Sequence, residues 1–167
     1  MALQYFYADL KAKQELYQQY GGKVLLVKVV LSDGTLANFL FRLQSTLVSL
    51  KLKPLALIPH LLNKWINGCV IGVGASFGPG LVLIHPIGVV INTSVRGGRN
   101  VQIESSVVIG DNRGGSPTLG NEVFLGSGAK VIGPLHIGDG ARVGANAVVL
   151  KDVPSGATAV GVPARVK

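Results

Sequence analysis

The spacing of apolar residues changes partway along this chain. Up to about Asn67 the spacing is helical. Leu36, Phe39, Leu40, Leu43, Leu47 and Leu50 recur at three- and four-residue intervals, the signature of one helix face laid on a core. Ala8 to Tyr20 is rich in helix formers and runs into Gly21-Gly22, a stop signal. Ser32 or Asp33 is placed to cap a second helix. Pro54 ends that helix, and Leu55 to Ile66 forms a third, bent near Pro59.

From Ile71 the period becomes six. Stepping by six gives Ile71, Phe77, Leu83, Val89, Val95, Val101, Val107, Arg113, Leu119, Leu125, Val131, Ile137, Val143, Val149 and Ser155. Only Arg113 and Ser155 are not large and apolar. Glycine often follows the apolar slot, and a small residue such as Ala75, Ala129 or Ala147 comes four places after it. Short strands that turn a corner every six residues build triangular coils of about 18 residues, with the apolar slot pointing inward. The glycine is expected to permit the corner. The unbroken count predicts five coils, at 71–88, 89–106, 107–124, 125–142 and 143–160, with no insertion. It also puts Arg113 in an interior slot, from which the chain would have to bulge. The domains expected are a helical one over 1–68 and a β-helix over 69–167.

Charge and composition narrow the function. The chain of 167 residues has a formal net charge of +8, yet only 14% of it is charged. Its basic residues are scattered, with a modest cluster at Lys51, Lys53 and Lys64, and no dense basic run interleaved with aromatics argues for nucleic acid. The single cysteine, Cys69, excludes an intrachain disulfide and agrees with a cytoplasmic setting. No basic start followed by an apolar stretch suggests a leader peptide. No apolar run is long enough to span a bilayer, although peripheral membrane contact stays open.

Three segments carry a resemblance to a known family: Phe77-Gly-Pro-Gly-Leu-Val-Leu-Ile-His-Pro-Ile-Gly-Val-Val-Ile91, Leu125-Gly-Ser-Gly-Ala-Lys-Val-Ile-Gly133, and Gly144-Ala-Asn-Ala-Val-Val-Leu-Lys-Asp-Val-Pro154 leading to Gly161-Val-Pro-Ala-Arg165. They resemble the hexapeptide-repeat acyltransferases, in the serine acetyltransferase-like branch. Asp33-Gly-Thr-Leu-Ala-Asn-Phe-Leu-Phe-Arg42 is similar in the helical part. The resemblance implies a mainly β fold, a left-handed parallel β-helix of about five coils behind an N-terminal α-helical domain. It implies a homotrimer with acetyl-coenzyme A as co-substrate, bound in the cleft between neighbouring prisms, and no metal. His85 looks like the general base, and imidazole titrates in the range that such a step needs. Along the coenzyme, the resemblance points to Gly126, Ser127, Gly128, Ala129, Gly144, Ala145, Lys151 and Arg165, the last two as phosphate partners.

The chain also departs from the branch. Ile84 stands where an aspartate precedes the histidine, and Gly115-Ser116-Pro117 replaces an Arg-His-Pro segment. An isoleucine cannot orient imidazole as a carboxylate does. These departures, with Asn112-Arg113-Gly114, look more like the polysaccharide-pathway relatives such as the colanic-acid and capsule O-acetyltransferases. Ile84, Arg113 and Ser116 are therefore the candidate acceptor-binding residues. The expected activity is O-acetylation of a sugar, glycan precursor or small alcohol. The alternatives are serine O-acetylation and a non-catalytic trimeric scaffold. His60 and His136 are expected to be structural or exposed.

Overall fold

The computed structural model describes residues 2–112 and 114–167, apart from the side chains of Ala2 and Tyr20. Among the described residues a 3-10 turn at Ala2–Gln4 is followed by four α-helices: α1 (Tyr5–Gly21), α2 (Leu26–Val30), α3 (Thr35–Ser49) and α4 (Lys53–Asn67). The stop at Gly21-Gly22 holds, since the Gly22 amide closes α1 on the Gln18 carbonyl. Pro59 lies inside α4, and Pro54 sits in its first turn, where a missing N–H costs nothing. The cap of α3 falls on Gly34, in the left-handed region, with no side-chain cap bond. Ser32 and Asp33 do not cap it.

Among the described residues fifteen short strands follow and form three sheets. The first joins β1 (Val70–Ile71), β4 (Val90–Ile91), β7 (Val108–Gly110), β10 (Lys130–Ile132) and β13 (Val148–Val149). The second joins β2 (Ser76–Phe77), β5 (Arg96–Gly97), β8 (Thr118–Leu119) and β11 (His136–Ile137). The third joins β3 (Val82–Leu83), β6 (Gln102–Ile103), β9 (Phe124–Leu125), β12 (Arg142–Val143), β14 (Thr158–Val160) and β15 (Arg165–Val166). All pairs are parallel except β14 with β15. This is a left-handed parallel β-helix, and it makes about four turns.

The coils are not of equal length. Val70 pairs with Val90, twenty residues on, and Val90 with Val108, eighteen on. Val108 pairs with Lys130, twenty-two on, and Lys130 with Val148, eighteen on. Two residues are inserted between Leu83 and Ile91, and four between Ile109 and Leu119. Two and four make one whole repeat, so a count by six from Ile71 slips out of phase and returns at Leu119. Between the insertions the outermost inward residues are Ile91, Ile103 and Ile109, each buried. Val89, Val95, Val101 and Val107, on the expected count, fill the inner companion positions and are buried as well. The expected five equal coils are therefore corrected to about four unequal turns. Arg113, which the count put in an interior slot, lies outside the described residues.

The glycine after each apolar slot has a different role from the one expected. A Cβ on Gly126 would stand 2.8 Å from the Ala145 amide nitrogen, so that glycine admits the next coil. The left-handed conformation falls two residues later, at Gly128 with φ +73°.

The first coil has no coil beneath it, so its backbone groups would be left unpaired. Helical side chains pair them. Arg42 donates to the Phe77 carbonyl at 2.8 Å and the Gly78 carbonyl at 2.7 Å. Asp9 accepts from the Gly80 and Leu81 amides, both at 2.9 Å. Gln44 donates to the Ile71 and Gly72 carbonyls, and His60 Nδ1 meets the Ile71 carbonyl at 3.0 Å. Asn38 pairs with both Leu81 and Leu83. Apolar packing is continuous across this junction: Phe41 lies edge-on to Phe77, centroids 5.9 Å apart. Cys69 is buried in the same core.

Candidate active site

The corner after β3 runs from Ile84 to Gly88 and contains the two-residue insertion. His85 stands on it with 56% of its side chain exposed. It opens on a cleft of about 300 Å³, lined among others by Asp33, Gly34, Ile66, Asn67 and Ile87. His85 Nδ1 lies 3.3 Å from Oδ2 of Asp33, on the turn between α2 and α3. The sequence reading missed this carboxylate because fifty-two positions separate the pair. Its only sequence signal was an acidic residue at a turn, which reads equally well as a cap.

Lys13, on α1, is buried directly behind this turn. Its ammonium donates to the Asp33 carbonyl, to Thr35 Oγ1 at 3.3 Å and to the Leu83 carbonyl at 3.4 Å. Burial pulls its pKa down to about 8, against the opposing pull of Asp33.

Ile84 does not enter this cleft. It lines a separate, mostly apolar recess with Leu16, Tyr17, Glu104 and Phe124. Ser116 lies in the four-residue insertion after β7 and donates to Asn92 Oδ1 at 3.1 Å. That corner joins the first sheet to the second, whereas the His85 corner joins the third sheet to the first. A single chain therefore keeps His85 and Ser116 on different edges of the prism.

The residues expected along the coenzyme divide in the same way. The corners at 104–106, 126–128 and 144–146 stack below that of His85: Ser106 donates to the Ile87 carbonyl at 2.9 Å, Gly128 to Ser105 and Asn146 to Ser127, both at 2.8 Å. Gly126, Ser127, Gly128, Gly144 and Ala145 thus share the edge that bears His85. Ala129 is fully buried, and both its backbone groups are used, its N–H by Gly126 and its carbonyl by Val108. Lys151 follows β13 and belongs to the Ser116 edge. Arg165 is exposed on β15, beyond the last full turn.

The other histidines have structural partners, His60 as above and His136 with Thr118 Oγ1 at 3.0 Å. Among the described residues no group of His, Cys, Asp and Glu could hold a metal ion. No helix among them is long and apolar enough to cross a membrane.

A six-residue parallel β-helix with a histidine on an extended corner is the arrangement expected of a hexapeptide-repeat transferase. A family model described as bacterial transferase hexapeptide (six repeats) matches residues 116–151. Serine acetyltransferase of Helicobacter pylori strain J99 is 40% identical over 141 residues, covering 82% of each chain. Soybean serine acetyltransferase complexed with serine superposes with TM-score 0.89 at 34% identity, over 98% of this chain and 68% of that one. A serine acetyltransferase in complex with CoA gives TM-score 0.89 at 28% identity, over the same shares. The chain belongs to the serine acetyltransferase family. This corrects the expected closeness to polysaccharide-pathway O-acetyltransferases. That reading rested on Asn112-Arg113-Gly114 and a few departures, a handful of residues set against likeness across most of the chain.

Proposed function

We propose that this chain is an acetyl-coenzyme A-dependent O-acetyltransferase whose acceptor is the hydroxyl of L-serine, with His85 as general base. The observation that carries the reading is His85 itself, half-exposed on the wall of the cleft with Nδ1 3.3 Å from Asp33 Oδ2. As the acceptor oxygen adds to the thioester carbonyl, Nε2 takes its proton. When the tetrahedral intermediate collapses, the carbon–sulfur bond breaks and the imidazolium returns that proton to the departing thiolate. The thioester is already activated, so no acyl-enzyme is needed. The pantetheine arm would lie on the edge carrying Gly126, Ser127, Gly128, Gly144 and Ala145, with Lys151 and Arg165 toward the phosphates.

A homotrimer completes this site. The first sheet turns Val70, Val90, Val108, Lys130 and Val148 outward, a largely apolar row in which the Lys130 ammonium is folded onto the Ser106 and Gly128 carbonyls. Its two borders are the His85 edge and the Ser116 edge. Packing prisms around a threefold axis would bring the His85 edge of one copy against the Ser116 edge of the next, and so unite groups that one chain holds apart.

One observation favours a second acceptor. Among the described residues no lysine or arginine lines the His85 cleft, so these residues offer the carboxylate of serine no cation there. An uncharged alcohol such as a sugar hydroxyl would need none. Release of coenzyme A thiol with L-serine and with a panel of sugars and small alcohols tests both readings. Efficient turnover of serine supports the first, and turnover of sugars alone the second. Coenzyme A binding without turnover of any acceptor would make the chain a scaffold. His85→Ala is expected to lower kcat by about 100-fold or more; unchanged kcat would remove the proposed base.

A further inference from the structure

We propose that Asp33 is the positioning residue of His85, so that the helical part supplies the carboxylate the β-helix lacks. The inference rests on His85 being the base. No Asp or Glu occurs from Gly34 to Ile103, so neither the coil of His85 nor most of the coil below it offers one. Ile84 holds the neighbouring place on the strand side, and Glu104 lines the recess of Ile84. Asp33, 3.3 Å from Nδ1, is the carboxylate the fold brings to the imidazole.

The turn that carries Asp33 is fixed. Gly34 has φ +78°, and a Cβ there would stand 1.9 Å from the Leu83 carbonyl oxygen, so the turn lies directly on the end of β3. Thr35 Oγ1 and Ser32 Oγ each donate to the Val29 carbonyl at 2.7 Å. Lys13 reaches from behind to the carbonyls of both Asp33 and Leu83. Leu83 is two residues before His85, so one buried ammonium holds together the backbones that carry the two members of the pair. Asp33 has no capping duty, since Gly34 occupies the cap.

Accepting a hydrogen bond from Nδ1–H selects the tautomer that carries its lone pair on Nε2, and it steadies the imidazolium after proton transfer. Both side chains are largely exposed, at 56% and 76%, which makes the effect smaller than that of a buried triad.

The experiment uses the whole chain with Asp33→Ala and Asp33→Glu. Imidazole 15N shifts of the neutral ring report the His85 tautomer without any turnover. Asp33→Ala is expected to shift the population from Nδ1–H toward Nε2–H and to lower kcat by about 10- to 100-fold, with KM for acceptor and acetyl-coenzyme A within about twofold. Asp33→Glu is expected to recover part of both. An unmoved tautomer population together with unchanged kcat overturns the proposal. A raised acceptor KM at unchanged kcat also overturns it, by making Asp33 a substrate ligand. If His85→Ala is silent while the tautomer still responds to Asp33→Ala, the pairing stands and the base assignment fails.

Discussion

Asp9→Ala should be the most damaging conservative truncation in the helical cap. Asp9 and Arg42 are each 1% exposed, with Arg42 Nε donating to Oδ2 at 2.8 Å and Nη2 to Oδ1 at 2.9 Å. The same Oδ1 accepts the Gly80 and Leu81 amides. Burial pushes the Asp9 carboxyl above its ordinary pKa, against the pull of Arg42 and the two amides. Truncation leaves a buried guanidinium without its counter-charge, which costs about 3–5 kcal/mol. It also strands two amides, at about 1–3 kcal/mol each if water stays out. These terms overlap, and Arg42 keeps its bonds to Phe77 and Gly78, so the expected net loss is about 4–5 kcal/mol. Urea unfolding followed by circular dichroism, at one fixed protein concentration, measures it. Arg42→Met in the Asp9→Ala background should recover part of the loss, because it removes the uncompensated charge. A loss below about 1 kcal/mol, or a double variant less stable than Asp9→Ala alone, would refute the account of the cap.

Two further outcomes follow from buried groups. Cys69 is fully buried, and its thiol is pushed up to about 12 by desolvation. It should resist alkylation at pH 8 until the chain unfolds; mass spectrometry before and after urea decides this, and rapid labelling of the folded protein would contradict it. Lys13 keeps its proton only up to about pH 8 in the folded chain, against an ordinary 10.5. Across that window the unfolded chain binds the extra proton, so stability from this residue rises with pH. The cost of burying its charge is full below 8 and relieved by 10.5. The urea midpoint of the wild type should therefore gain on that of Lys13→Met by about 1–2 kcal/mol equivalent between pH 7.5 and 10. Parallel curves would refute it.

The sequence made the six-residue repeat legible because inward residues must be apolar in every coil. It hid the two insertions because their lengths sum to one repeat. Valines at the inner companion positions, Val89 to Val107, satisfied the count as well as the true outer residues did. His85 was legible through the likeness of the segment around it. Asp33 was not, since nothing local to residue 33 states which strand end the turn will meet; that is decided by Gly34 and Lys13 closing on Leu83. The placement of Ile84 away from the cleft was equally unreadable, because adjacent residues at an extended corner can face opposite ways.

The unequal coils bear on how such a chain can be altered. Along the edge between the second and third sheets the step from one inward residue to the next is always six: Phe77 to Leu83, Gly97 to Ile103, Leu119 to Leu125, Ile137 to Val143. Every departure in length falls on the two edges that border the first sheet. The prism thus has one uniform side and two editable ones. Residues can be added or removed at an editable corner while the interior layers stay stacked, provided the parallel pairing resumes one strand later. Remodelling the proposed acceptor pocket is then a matter of corner length at 84–88 and 110–117, and the third edge is where a label or a tether can be attached without disturbing either.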